Sequence, residues 1–170
     1  MIDLAQFEAV AQTQGNCMPL YTGQGATYGH TGNRAPGFQP YDTFQCQDGW
    51  MFIGAFGGVI YPRVPQFLGL DPDEYSYDAC SRAAAVNSAK GQELDQRLRE
   101  YCAQHTCLEV EAALNKVQIG CSRIFSTPDQ YADAHYQARE MTVPVLDRQS
   151  GVPIRVYGVV PKMSLTPGRI

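Results

Sequence analysis

Lysine is nearly missing from this chain. Lys90, Lys116 and Lys162 are the only three, they stand far apart, and no Lys/Arg cluster forms anywhere in the 170 residues. A nucleic-acid backbone needs such a cluster, so nucleic-acid binding is excluded as the main role. The net charge is −4, with acidic and basic residues interspersed. No apolar run approaches the length of a membrane span. The first residues, MIDLAQFEAVAQTQGN, carry Asp3 and Glu8 and no basic stretch, so they do not read as a signal peptide. The chain also lacks an Asn-x-Ser/Thr sequon, and a cytoplasmic protein is expected.

Sequence signatures of common chemistries are missing too. Six cysteines are present but no C-x-x-C pair, so the spacing of zinc and redox sites is absent and the thiols read as small buried groups. There is no G-x-S-x-G elbow and no Walker sequence. His30, His105 and His135 have no partner at i+4, so no metal site is expected. Cys107 lies near His105, but side chains two apart on a helix diverge. Gly23-Gln24-Gly25 opens like a dinucleotide fingerprint, yet Tyr28 stands where the third glycine belongs. The acidic turn Asp71-Pro72-Asp73-Glu74 reads as a solvated loop. No catalytic residue is assigned.

What is present is a 44% apolar chain able to bury a core without metal or disulfide. Asp3 is placed to cap a first helix that fades by Asn16, with Gln6 in the capping-box position. Pro19–Gln39 reads as an extended connection. Strands are expected near Thr43–Gln47 and Trp50–Ala55, turned by Asp48-Gly49 in a geometry needing φ > 0. A helix around Ile60–Leu70 would use Pro62 in its first turn. Asp71–Ala89 is open between loop and a short helix near Ala79–Ala85.

Leu94, Leu98, Tyr101 and Cys102 give the stripe of a helix over Gln92–Gln104. Thr106 and Glu109 form a capping box for the next helix, with Val110, Ala113, Leu114 and Val117 on one face. A strand follows at Gln118–Phe125. Thr127 is then placed as N-cap of a helix reaching about Arg139, with a break near Ala134. Two strands, Thr142–Leu146 and Ile154–Val160, precede a Pro/Gly tail. The loop Arg34-Ala35-Pro36-Gly37-Phe38-Gln39-Pro40 is stiffened by prolines and opened by a glycine. It reads equally as a rigid entry to the hairpin or as a candidate ligand loop.

Several pieces, in order, resemble the CaiB/BaiF family of class III CoA-transferases, which includes carnitine dehydratase-like and formate-type members. They are Ile2-Asp3-Leu4-Ala5-Gln6-Phe7-Glu8, Gly32-Asn33, Cys46-Gln47-Asp48-Gly49-Trp50, Thr106–Glu109 and Ile124-Phe125-Ser126-Thr127-Pro128. The tail residues Pro161, Lys162, Ser164, Thr166, Pro167 and Gly168 complete the series. The likeness runs over nearly the whole chain and lies in order and spacing. It implies an α+β fold, the small domain of such an enzyme, with an antiparallel hairpin and packed helices. Residues 1–39 would be a helix and linker toward a large domain, 40–140 the small domain, and 141–170 strands and tail returning toward the large domain.

The resemblance implies CoA transfer between carboxylic acids through an aspartate nucleophile that lies upstream of the Ile-Asp helix, with most of the CoA site. This chain is therefore expected to lack both and to be inactive alone. No cofactor is implied beyond the CoA thioester as substrate. Gly37, Phe38, Gln39 and Pro40 resemble, in position, a small-domain loop that closes over the active site, with Pro36 and Phe38 where that loop has glycines. The implied partners are acyl-CoA, a large domain or a second copy, with no nucleic acid and no membrane. A 2-methylacyl-CoA racemase-like function and a stand-alone oligomerisation or acyl-CoA-binding module remain alternatives.

Overall fold

The computed structural model describes residues 3–170, so Ile2 of the quoted Ile-Asp stretch lies outside the described residues. The fold is α+β, with helices and two small antiparallel sheets. The chain divides into two compact units, the first ending at Arg123 and the second spanning Ile124–Ile170.

The first unit is organised by a three-stranded sheet in the order β1-β2-β3, formed by β1 (Tyr41–Gln45), β2 (Trp50–Gly54) and β3 (Gly120–Arg123). Its registers include Tyr41↔Gly54, Thr43↔Phe52 and Phe52↔Ser122. Side chains alternate between the faces of a strand. Phe44, Met51 and Ile53 therefore point one way and are fully buried, whereas Tyr41, Thr43, Trp50 and Phe52 point the other way. The buried face meets α5 (Ala89–Ala103) through Leu94, Leu98 and Cys102, and α6 (Cys107–Lys116) through Cys107, Val110 and Leu114. Tyr61 and Val64, at and before the start of α3 (Arg63–Phe67), and Cys80 of α4 (Tyr77–Cys80) complete this core. The helical stripe expected from sequence thus forms on α5. On α6, Val117 falls at the C-cap and stays exposed.

Caps explain the helix starts. Ser88 Oγ accepts from Gly91 N–H (3.0 Å), and the Thr106–Glu109 capping box forms as expected. The Asp48-Gly49 turn forms where predicted, but for a different physical reason. Gly49 does not adopt the left-handed backbone. Cys46 N–H closes the turn on Gly49 C=O at 2.8 Å, and Asp48 Oδ1 accepts from Cys107 N–H at 2.7 Å. A Cβ on Gly49 would stand 3.2 Å from Cys107 Sγ, so glycine is favoured there by close approach rather than by φ.

Two further expectations are corrected in the N-terminal segment. Helix α1 (Gln6–Gln12) is capped at Ala5, whose N–H donates to Glu8 Oε2 (2.9 Å), and not at Asp3. The stretch read as an extended connection contains helix α2 (Cys17–Gln24), in which Pro19 sits in the first turn and Gly25 closes the C-terminus at φ 64°. None of residues 3–38 is buried.

In the second unit, Ser126 rather than Thr127 caps α7 (Thr127–Ala132), accepting from Asp129 N–H, and Asp133 starts α8 (Ala134–Ala138) at the expected break. β4 (Thr142–Leu146) pairs antiparallel with β5 (Pro153–Tyr157) around a turn held by Asp147. No residue of 124–170 is buried.

Candidate functional site

Four residues of the ligand-loop expectation, Gly37, Phe38, Gln39 and Pro40, lead directly into β1 and have divergent surroundings. Gln39 is 1% exposed. Its Nε2 donates to Cys80 O at 2.8 Å and to Gly91 O at 2.7 Å, and its main-chain N–H to Ser81 O at 3.3 Å. Ser81 Oγ donates back to Gln39 C=O. Gln39 Oε1 is buried without a hydrogen-bond partner. Gly91 makes the arrangement possible, because a Cβ there would overlap the Ala85 carbonyl oxygen and lie 3.1 Å from Cys80 O. Pro40 is buried beside it, and its carbonyl accepts from Ala55 N–H at 2.9 Å. Upstream, Ala35 N–H donates to Tyr41 C=O (3.0 Å), Asn33 Nδ2 to Thr43 Oγ1 (3.1 Å) and Arg34 Nη2 to Asn87 Oδ1 (3.1 Å). The loop is anchored along its length.

Phe38 turns the other way. Its ring lies 4.5 Å from Phe56 and 5.2 Å from Tyr41, centroid to centroid. Tyr41 in turn meets Phe52 edge-on at 4.8 Å and Phe56 at 5.4 Å. These rings sit on the sheet face opposite the core. Tyr41, Phe52 and Phe56 were not singled out from sequence. The signal was there: β1 and β2 carry aromatic residues on both alternating faces, which a sheet with one solvated face does not need.

Carboxylates near the hairpin are engaged in structural roles. Asp42, on the core face of β1, pairs with Arg99 at 2.6 Å, and Asp95 holds the same guanidinium at 2.8 Å. Arg99 also lies over the Phe44 ring, 4.8 Å from its centroid. Asp48 is kept below the usual carboxylate range by the Cys107 N–H. Three buried thiols, Cys46, Cys102 and Cys107, lie together behind the turn. Burial pushes Cys46 and Cys102 up to about 11 and, with Asp48 beside it, Cys107 up to about 12. Thiols held protonated in this way are poor nucleophiles. Among the described residues no His/Cys/Asp/Glu group is arranged to hold a metal ion, and no helix is long and apolar enough to cross a membrane.

CoA-transferase family III matches the chain over residues 1–170. A succinyl-CoA–D-citramalate CoA-transferase of Chloroflexus aurantiacus is 27% identical over 174 residues, covering 100% of this chain and 42% of that protein. The bile acid CoA-transferase BaiK of Clostridium scindens is 26% identical over 180 residues, covering 99% of this chain and 39% of that protein. A CaiB/BaiF family crystal structure from Brucella suis superimposes with a TM-score of 0.63 at 26% identity, over 89% of this chain and 39% of that one. The Mycobacterium tuberculosis protein Rv3272 gives a TM-score of 0.71 over 99% of this chain and 43% of that one, and at 16% identity it speaks to the fold alone. The chain therefore spans about two fifths of the length of the curated relatives it matches. With the match running from end to end and the α+β fold shared with solved relatives, the chain belongs to CoA-transferase family III.

Proposed function

We propose that this chain takes part in CoA transfer between carboxylic acids, as the hairpin-bearing portion of a larger catalyst. The acyl-accepting carboxylate and most of the CoA site would come from residues other than those described. The observation that carries the reading is the family match over all 170 residues, with relatives that are themselves CoA-transferases. Burial supports the need for further protein surface. Among the described residues, every buried one lies between Gln39 and Ile119, while the helices and strands on either side bury none. Elements of that kind gain stability only by packing against something else.

The engaged state of Asp42 and Asp48 supports placing the nucleophile elsewhere. The loop Gly37–Pro40 would then wall the acyl site and help exclude water from a reactive anhydride. A homo-oligomer would cover exposed apolar side chains such as Leu165, Met163 and Val160. Six unpaired thiols suit a cytoplasmic setting.

The test is CoA exchange from a panel of acyl-CoA donors to carboxylic acids, run with this chain alone and with the chain joined to the large-domain sequence of a family member. Turnover is expected only in the second case. Robust turnover by the chain alone overturns the assignment of the nucleophile. Absence of turnover in both, with the joined protein folded, overturns the transfer reading.

A further inference from the structure

Beside Thr43, Gln45 and Ser122, the outward face of the three-stranded sheet carries a cluster of rings that a solvated face does not need. Phe38, Tyr41, Phe52 and Phe56 are joined by centroid distances of 4.5 to 5.4 Å, and Phe56 keeps 45% of its surface exposed. Gly54 is the floor beneath them. A Cβ there would stand 3.2 Å from Phe52 Cε1 and 3.3 Å from Tyr41 Cδ2, so a bare backbone lets both rings close over the strand. The cluster contains no carboxylate and no cation. Asp42 points to the core face and is bound by Arg99, and Arg34, at the start of the loop, donates to Asn87.

The wall is also preorganised. Gln39, immediately after Phe38, is fixed by its bonds to residues 80, 81 and 91, so a ligand resting on Phe38 pays no loop-ordering entropy. Area decides between occupants. Aromatic side chains bury 150–250 Å² each when fully covered, and Phe38, Tyr41 and Phe52 are already largely covered, so the four rings offer at most about 300 Å². A stable protein interface takes about 800 Å² from each partner. The face suits the apolar body of a small molecule better than a second copy of the chain.

We propose that Phe38, Tyr41, Phe52 and Phe56 form the surface that receives the acyl group. This surface selects carboxylic acids with a large uncharged hydrocarbon or aromatic body over short acids bearing a second carboxylate. A second charge laid on these rings would lose its hydration and meet no partner. That the ligand is an acyl group rests on the CoA-transfer reading; the selective apolar surface does not.

The experiment is titration of the 170-residue protein with 4-phenylbutyrate and with succinate. Binding is read from ring-proton NMR and from fluorescence of Trp50, which stands two residues before Phe52 on the same face of β2, and sedimentation equilibrium gives the mass. 4-Phenylbutyrate is expected to shift the Phe38 and Phe56 signals and to bind about tenfold or more tightly than succinate. Phe56→Ala is expected to weaken that binding about fivefold or more with an unchanged far-UV spectrum. Phe38→Leu, which keeps the loop's apolar contact, should act in the same direction. Leu108→Ala, at an exposed position on α6, should change nothing. Equal affinity for the two acids, or ring signals that move only with protein concentration as copies associate, overturns the proposal. No thioester is present, so absence of CoA transfer in the activity assay leaves this outcome standing. Transfer between short dicarboxylic acids that Phe56→Ala leaves untouched sinks the acyl surface and spares the transfer reading.

Discussion

Gln39 is the residue on which the loop's rigidity depends, and Gln39→Leu measures it. The substitution keeps the volume and removes two neutral hydrogen bonds, to Cys80 O at 2.8 Å and Gly91 O at 2.7 Å. Each is worth about 1 kcal/mol net. Gly91 lies within α5, so its carbonyl keeps a ladder partner, whereas Cys80 O is left buried with less; that adds about 1–2 kcal/mol. Against this, the unpartnered Oε1 disappears, returning about 1 kcal/mol. The expected loss is about 2–3 kcal/mol, or roughly 5–10 °C in Tm for a chain of this size.

Gln39→Glu separates donor from volume. At neutral pH the new carboxylate faces two carbonyl oxygens with no donor to offer, so it should cost more than leucine, about 3–5 kcal/mol. Burial raises the folded-state pKa of that carboxyl above its unfolded value. The variant should therefore be most stable relative to leucine below about pH 4 and fall behind as pH rises. Urea unfolding followed by far-UV circular dichroism and Trp50 fluorescence gives all three stabilities. A Gln39→Leu protein within about 0.5 kcal/mol of the parent, or a glutamate variant no worse than leucine at pH 7, refutes the anchoring argument.

Other perturbations address separate parts of the frame. Gly91→Ala forces a methyl into the Ala85 carbonyl and is expected to cost about 3 kcal/mol or more, measurable by the same unfolding curves; a neutral result would mean α5 can shift freely. Asp48 has a folded pKa depressed by the Cys107 N–H. Its contribution is complete above the unfolded value near pH 4 and lost as pH falls through the lower folded value, so Asp48→Asn should flatten the fall of Tm between about pH 4 and pH 2. Parallel acid limbs for the two proteins would contradict this. In thiol titration at pH 8, Cys17 should react first and Cys46, Cys102 and Cys107 only on unfolding, because thiols near 11 to 12 are about a thousandth or less ionised there. Rapid reaction of three or more thiols in the folded protein is the outcome that rejects the sealed cluster.

The legible parts of the sequence were those whose signals are local. Thr106 and Glu109 lie three apart and cap α6 as read, and Leu94 and Leu98 mark one stripe of α5. The hairpin was placed within two residues at each strand end, because alternation and an Asp-Gly pair both pointed there. Helix α2 was missed because Pro19 and Gly23 look like breakers. Pro19 in fact falls in the first turn, where it costs no hydrogen bond, and Gly25, not Gly23, ends the helix. Gln39 was included in the candidate loop, but its role as an anchor depends on carbonyls 41 and 52 residues away and has no local signature.

Gln39 and Phe38 are adjacent, and the loop divides its work between them. The polar side chain enters the core and holds backbone groups of two other segments, while the aromatic one lies on the outer face against Tyr41 and Phe56. An exposed glutamine at 39 would remove the loop's side-chain ties to residues 80 and 91 and loosen it; a glycine at 38 would leave the anchored loop with nothing to present. The two positions are physically coupled: weakening the Gln39 anchor should loosen Phe38 and blur any preference among acyl groups before it abolishes binding. That order of loss distinguishes a displayed wall from a closing lid, since a lid freed of its anchor would close more easily and bind more tightly.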